Sequence, residues 1–297
     1  MPATRRSLDM TAYAVMLVCT LLWGLQQVTV KVAATGVSPV MQGGIRSVLA
    51  TVLLLVWSRS RGIALFERDR TMAPGLVAGG LFAVEFFLIY YGLAHTLASR
   101  MVIFIYLAPV LTAIGLAWWV PSERLSALQW LGVALAFAGI VAAFADGYAS
   151  GDRQTLLGDA CGALAAVLWA STTVLIRATR LAGARAEKTL LYQLAVSALL
   201  LPLASFALSE PGVISLDAVT VSMLLYQGVV VAFASYLAWF WLLTRYYAAR
   251  LSVFAFIAPL AGVAFGVVLL NERLSASFVA AAVLVAVGIA LVNARRG

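Results

Sequence analysis

Ala98-Ser99-Arg100, then Phe104-Ile105-Tyr106-Leu107-Ala108-Pro109, then Glu123-Arg124-Leu125-Ser126, with an Ala/Gly-rich run closing at Gly139-Ile140, is the stretch that decides the fold, because it occurs twice. The second copy reads Ala248-Ala249-Arg250, Phe254-Ala255-Phe256-Ile257-Ala258-Pro259, Glu272-Arg273-Leu274-Ser275 and closes at Gly288-Ile289. Pro109 and Pro259 lie 150 positions apart and the two Glu-Arg-Leu-Ser blocks 149, so the copies align with a single one-residue gap. A repeat of this length means two homologous halves, which we place at residues 1–150 and 151–297.

Composition says what surrounds them. The 297 residues are 64% hydrophobic and 11% charged, with a mean hydropathy of +1.02. Soluble domains carry about 25% charged residues, so most of this chain does not face water. About 20 apolar residues span a bilayer as a helix. The sequence predicts ten such segments, at roughly 10–34, 39–58, 72–94, 97–119, 126–145, 156–178, 186–207, 217–244, 247–270 and 275–294. The runs are continuously apolar, whereas barrel strands alternate, so the expected class is an all-α polytopic membrane protein. Arg5 and Arg6 before the first run resemble the start of a signal peptide. That run is too long and lacks a small-residue cleavage site before a soluble body, so it reads as the first span.

The net charge of +8 follows from membrane topology rather than from a nucleic-acid partner. With the N-terminus in the cytoplasm, fifteen of the twenty Lys and Arg residues fall inside and four (Lys31, Arg100, Arg153, Arg273) outside, with Arg46 inside a span. That is the positive-inside asymmetry, and it puts both termini in the cytoplasm. Five spans per half, an odd number, invert the second half relative to the first. Inverted repeats are a recurrent architecture of secondary carriers, with the substrate at the repeat interface. The join from Asp146 to Asp159 reads as a plain loop. Cys19 and Cys161 lie within apolar runs and read as buried free thiols. Arg outnumbers Lys and Ala is abundant, which hints at a GC-rich bacterial genome and hence a bacterial inner membrane. The pattern sets no oligomeric state and is compatible with a monomer.

Trp23-Gly24 in the first span, Arg46 in the second, Ala-Pro opening an apolar run, and Glu-Arg-Leu-Ser before a Gly-ending span resemble the EamA family of the drug/metabolite transporter superfamily. The resemblance covers both repeats, with departures: Gly132 has Ala281 as its counterpart, and Arg46 aligns with Tyr192. The run from Phe86 to Pro109 also resembles YddG-type exporters of aromatic amino acids. The resemblance implies a ten-helix carrier whose third, fourth, eighth and ninth helices line a central path, and an export direction.

No phosphate-loop motif occurs. Gly75-Leu76-Val77-Ala78-Gly79-Gly80 imitates one, but inside an apolar run such small residues favour close helix packing. One histidine, His95, and no buried acid pair leave little for catalysis. The expected protein is therefore not an enzyme, and we expect no metal and no cofactor. Its expected partners are a small-molecule substrate, such as an amino acid or similar metabolite, and the lipid bilayer. Other metabolites or drugs as cargo, and a scaffold or receptor subunit without transport, stay open as alternatives.

Glu85 is the acid well inside a span, a functional candidate by default. It could take a substrate ammonium or a coupling proton, or be a structural carboxylate paired with Arg46 or a tyrosine. For Arg46 a structural tie to that acid is the favoured reading. Tyr90, Tyr91, Tyr106 and Trp239 sit in helices that the resemblance places on the path, where aromatic faces can stack on substrate and attract an ammonium. Trp23, Gln27 and Lys31 share one helix face, as do Trp169, Thr173 and Arg177; a packing seam is the alternative. Trp118, Trp119 and Trp241 read as interfacial belt residues. Pro109 and Pro259 should kink their helices near the middle and are candidate hinges or gates. The Glu-Arg-Leu-Ser blocks read as framework, with Glu123 and Glu272 near helix N-termini.

Overall fold

Helices follow the apolar runs of the sequence. A computed structural model of the chain describes residues 9–67, 69–119, 125–149, 151–246, 254 and 257–292. In order they are α1 (Met10–Ala33), α2 (Pro39–Ser60), α3 (Met72–Leu93), α4 (Ala98–Ile105), α5 (Ala108–Trp119), α6 (Ala127–Ala149) and α7 (Arg153–Ala178). After a 3₁₀ turn at Arg180–Gly183 come α8 (Ala186–Ala207), α9 (Ala218–Leu225), a π-helical segment (Tyr226–Ser235), α10 (Tyr236–Arg245), α11 (Ile257–Leu270) and α12 (Ala276–Val292). Among the described residues eight helical stretches are long and apolar enough to cross a membrane, and α11 and α12 are shorter apolar helices. No strand forms among those residues, beyond an isolated bridge between Val37 and Val213. Only helices and closed barrels satisfy every backbone group inside lipid, so this is a multi-pass integral membrane protein.

Several ends are capped by acids. Asp9 accepts from the Ala12 N–H at 2.9 Å, Asp152 from Gln154 at 2.9 Å and Asp217 from Thr220 at 2.7 Å, each satisfying an otherwise orphaned donor. These bonds, preceded for Asp152 by the larger effect of the Thr155 hydroxyl that donates to it at 2.7 Å, hold all three carboxyls below their usual pKa. The expected spans at 10–34, 39–58, 72–94 and 186–207 agree with α1, α2, α3 and α8 to within two residues.

Two expectations need correction. α6 runs to Ala149 and α7 starts at Arg153, so Asp146 and Asp159 are helical residues and not parts of a plain loop. The fourth span is not a kinked helix but a broken one. Tyr106 closes α4 with a bond to the Val102 carbonyl at 3.1 Å, and Val110 and Leu111 both bond back to the Leu107 carbonyl at 3.0 and 3.1 Å. Pro109 has no N–H for the Ile105 carbonyl and its ring crowds that turn. The chain therefore breaks at Tyr106-Leu107 and restarts with Pro109 in a first turn, where proline is tolerated. Pro259 likewise sits in the first turn of α11. Cys19 and Cys161 are buried and free, as expected.

The first half of the repeated stretch becomes the middle of the molecule. No residue from Ala98 to Ala108 is more than 5% exposed. α4 has no face for lipid or water, since α1, α3, α7 and α11 surround it. Around it α2 and α3 pack on α8, α3 on α7, and α1 on α11. α6 and α12 meet backbone to backbone. A Cβ added at Gly288 would come 2.5 Å from the Ala136 nitrogen and 2.6 Å from the Gly132 carbonyl. Gly75 and Gly79 similarly admit Tyr192 and Val196 of α8, which is helix packing and not phosphate binding. Outward faces carry Leu199, Leu203 and Phe206 on α8 and Val279, Val283 and Val287 on α12, all exposed. Such an apolar exterior suits lipid.

Candidate functional site

Polar side chains concentrate where α1, α2, α3 and the π segment meet. Tyr90 of α3 is fully buried, receives a hydrogen bond from Gln26 Nε2 at 3.1 Å and donates to Gln227 Oε1 at 2.8 Å. Gln227 Nε2 donates onward to Gln42 Oε1 at 3.0 Å, and Gln42 Nε2 donates to the Val30 and Val37 carbonyls at 3.1 and 2.8 Å. One helical turn along α2, Arg46 is 1% exposed. Its Nη2 donates to the Tyr236 hydroxyl at 3.1 Å, and its Cζ lies 4.0 Å from the centre of the Phe86 ring. Such a cation–π contact contributes about 0.5–2 kcal/mol.

Glu85, beside Phe86 in sequence, is 4% exposed. It interacts electrostatically with Arg46. Among the described residues, however, it makes no hydrogen bond and no ion pair within 4.0 Å. The expected direct tie between Arg46 and the acid is therefore replaced by Tyr236, a residue the sequence reading passed over. Arg46 Nε, Gln26 Oε1 and Gln27 Oε1 are buried without a hydrogen-bond partner among the described residues. Unpaired buried polar atoms are uncommon and each calls for an explanation.

The π segment shapes this site. Residues bonded i→i+5 are rare and recur at functional positions. Here they carry Gln227 to Tyr90 and Ser235 to Trp23, whose Nε1 donates to Ser235 Oγ at 2.9 Å; Tyr236, which meets Arg46, follows directly. Aromatic rings frame the cluster. Trp23 meets Trp239 edge-on at 5.9 Å, and Tyr106 meets Trp169 edge-on at 5.7 Å. Tyr106 is buried and senses the Tyr236 hydroxyl electrostatically.

Of the residues singled out from sequence, Glu85 and Tyr90 share the cluster, Trp23 reaches it through Ser235, Gln27 is buried next to Gln26 in the chain with its Oε1 unpartnered among the described residues, and Tyr106, Trp169 and Trp239 form the aromatic pairs. Tyr91 points elsewhere: it stacks on Phe87 at 5.7 Å and meets His95 at 4.7 Å. Trp118 is 76% exposed, in keeping with a belt position; the Trp119 side chain and Glu123 lie outside the described residues. Two cavities of about 270 and 430 Å³ lie away from Arg46, one beside Lys31 and Leu93, the other beside Asp69, Lys188 and Tyr192. Among the described residues no group of His, Cys, Asp and Glu could hold a metal ion.

A second polar network ties one end of the bundle. Arg100 Nε donates to both Asp159 oxygens at 3.1 Å, its Nη2 to Asp159 Oδ2 at 2.5 Å and to the Ala143 carbonyl at 2.7 Å, and its Nη1 to Asp146 Oδ2 at 2.8 Å. Thr96 adds a bond to Asp159 at 2.8 Å, Ser277 one to Asp146 at 2.6 Å, and Ser275 also donates to Asp146. Glu272, from the second Glu-Arg-Leu-Ser block, accepts from the Ala98 and Ser99 N–H groups at 2.7 and 3.0 Å. It precedes α12 but caps α4, the buried helix of the other half, where the macrodipole favours a carboxylate. The sequence placed Asp159 at the end of the join between the repeats and gave no sign of its union with Arg100, 59 residues away.

The fold and its buried polar core define the class: a multi-pass membrane protein organised around an interior site. A family model described as the EamA-like transporter family matches residues 10–145 and 156–294. The chain belongs to that family and is a membrane transporter, with a small-molecule substrate and a lipid environment. It is similar to a "Probable amino-acid metabolite efflux pump" of Salmonella typhimurium, at 27% identity over 92% of this chain and 91% of that protein. It resembles an Escherichia coli protein of the same description at 25% identity over 92% and 91%. An uncharacterised transporter of Bacillus subtilis, YvbV, is 26% identical over 99% and 93%. One solved protein structure superposes over 95% of this chain and 97% of its own with a TM-score of 0.67 at 22% identity, a likeness of fold.

Proposed function

We propose that this chain is a secondary, ATP-independent transporter of the bacterial inner membrane that exports amino acids, aromatic and other neutral ones foremost. It works by alternating access between two inverted five-helix halves, residues 1–150 and 151–297, ten spans in all, with both termini cytoplasmic. The carrying observation is the buried, incompletely paired cluster of Arg46, Glu85, Tyr90, Gln26 and Tyr236 with aromatic rings beside it. A carrier needs such polar groups at mid-membrane, where they are otherwise expensive.

A twofold relation between the halves is supported by how the elements pair, and an odd number of spans per half makes that relation an inversion. α1 meets the π segment of the eighth span as α3 meets α7, α2 meets α8, α4 meets α11 and α6 meets α12. This set maps onto itself when each span is exchanged with its counterpart five spans away. Pro109 and Pro259 are the hinges in this reading, since the fourth span, already broken at Tyr106-Leu107, reorients there at little further cost. The efflux descriptions of the enteric relatives support the direction and the cargo.

Purified protein in liposomes should accelerate the flux of neutral amino acids, with aromatic ones first, both with and without an imposed pH gradient. Flux of other metabolites but of no amino acid would move the assignment within the family. In this reading Glu85 receives the substrate ammonium or a coupling proton, so Glu85→Gln should reduce flux at least tenfold. Unchanged flux across pH would make Glu85 structural.

A further inference from the structure

We infer that Arg46 is the carboxylate-binding group of the central site, and that with Glu85 it recognises a zwitterion through two ionisable groups the protein leaves unjoined. The inference rests on the amino-acid reading above and deepens it.

Two buried arginines in the same fold show the contrast. Arg100 has all its guanidinium nitrogens bonded, to Asp159, Asp146 and the Ala143 carbonyl. That is how this protein treats an arginine whose task is to join helices. Arg46 is more deeply buried, at 1% exposed against 5%, yet its polar neighbours are neutral phenols: it donates to the Tyr236 hydroxyl at 3.1 Å and interacts with the Tyr90 hydroxyl beside it, with no carboxylate bonded to it. A guanidinium carries five N–H donors, and the Arg46 Nε has no partner among the described residues. A buried charge without a counter-charge is costly. The acid that could supply one, Glu85, is near enough to interact electrostatically but forms no ion pair with it within 4.0 Å. The orphaned acceptors lie on α1, at Gln26 Oε1 and Gln27 Oε1.

The unmatched groups therefore comprise a cation short of acceptors, a carboxyl short of donors and, through Tyr90, the amide oxygen of Gln26. That set complements one carboxylate and one ammonium on a single small molecule. Phe86 backs the guanidinium at 4.0 Å. It fixes the plane that a carboxylate would meet in two parallel hydrogen bonds, a geometry lysine does not reproduce.

The test measures binding to the purified protein in detergent by titration calorimetry, with four probes: phenylalanine, phenylalaninamide, 3-phenylpropionate and 3-phenylpropionamide. Wild type should prefer each acid to its amide by about tenfold or more, the scale of one charge-assisted hydrogen bond. Arg46→Gln should erase the preference, and Arg46→Lys should restore only part of it. If Arg46→Gln does not fold, Arg46→Lys carries the assignment, and a full wild-type acid preference in Arg46→Lys overturns it. Phenylalanine and its amide bound alike would overturn the role of Arg46 and leave the amino-acid reading standing. A preference for phenylpropionate over its amide without phenylalanine binding would uphold Arg46 and remove that reading. Retention of the acid preference in Arg46→Gln, or binding of none of the four, would overturn the inference.

Discussion

Replacing Arg100 by methionine keeps most of the side chain's stem and deletes its charge. The Arg100 side chain is 5% exposed, Asp159 0% and Asp146 14%. With the guanidinium gone, Asp159 keeps Thr96 as its hydrogen-bonding partner and remains an uncompensated buried carboxylate. Removing one member of a buried ion pair costs about 3–5 kcal/mol. At roughly 2–4 °C per kcal/mol for chains of about 150–250 residues, the thermal midpoint in detergent should fall by roughly 6–20 °C. Adding Asp159→Asn removes the stranded charge while leaving an oxygen for Thr96. The double variant should thus recover a substantial part of the loss, because deleting both charges avoids the desolvation that one alone incurs. A midpoint for Arg100→Met within 2 °C of wild type would refute the reasoning, as would a double variant less stable than the single.

Three other outcomes follow from the same geometry. Glu272→Ala strands the Ala98 and Ser99 N–H groups and should cost about 0.5–2 kcal/mol, the range for a lost N-cap; Glu272→Gln, which keeps an acceptor, should cost less, and equal thermal midpoints would show that the cap is idle. Gly288→Val drives a side chain into the backbone of α6 and should cost about 1–3 kcal/mol or more. Gly80→Val is its control, having nothing within 4 Å, and equal stability of the two would disprove the close approach. Asp69, held below its usual pKa first by a hydrogen bond from Lys188 and then by Thr71, stabilises the fold above the ordinary carboxylate pKa and loses that contribution as pH falls through its lowered value. Asp69→Asn should therefore lower the thermal midpoint at pH 7 and matter progressively less below pH 4; a penalty that did not shrink would exclude an ionic origin.

Much of the site was legible only as a list of residue types. Glu85, Arg46 and Tyr90 stand out because ionisable and hydrogen-bonding groups are scarce in apolar runs. Their partners do not stand out: Gln227 and Tyr236 lie 137 and 190 residues from the groups they meet. The π segment was invisible because its residues have ordinary helical composition. The adjacent tyrosines 90 and 91 could not be told apart in a span apolar on every face; packing sends one into the cluster and the other to Phe87 and His95.

By itself the sequence determined the all-helical membrane class, the doubling of the Ala-Pro to Glu-Arg-Leu-Ser stretch and the family, because hydropathy and repeats are properties of the chain read along its length. Tertiary structure decided that α4 is wholly buried, that Glu272 caps it from 174 residues further along the chain, and that Arg100 is saturated while Arg46 is not. Hydrogen-bond satisfaction depends on what stands within about 3 Å, and in a bundle whose neighbours come from opposite halves that distance is set by packing, not by position in the chain.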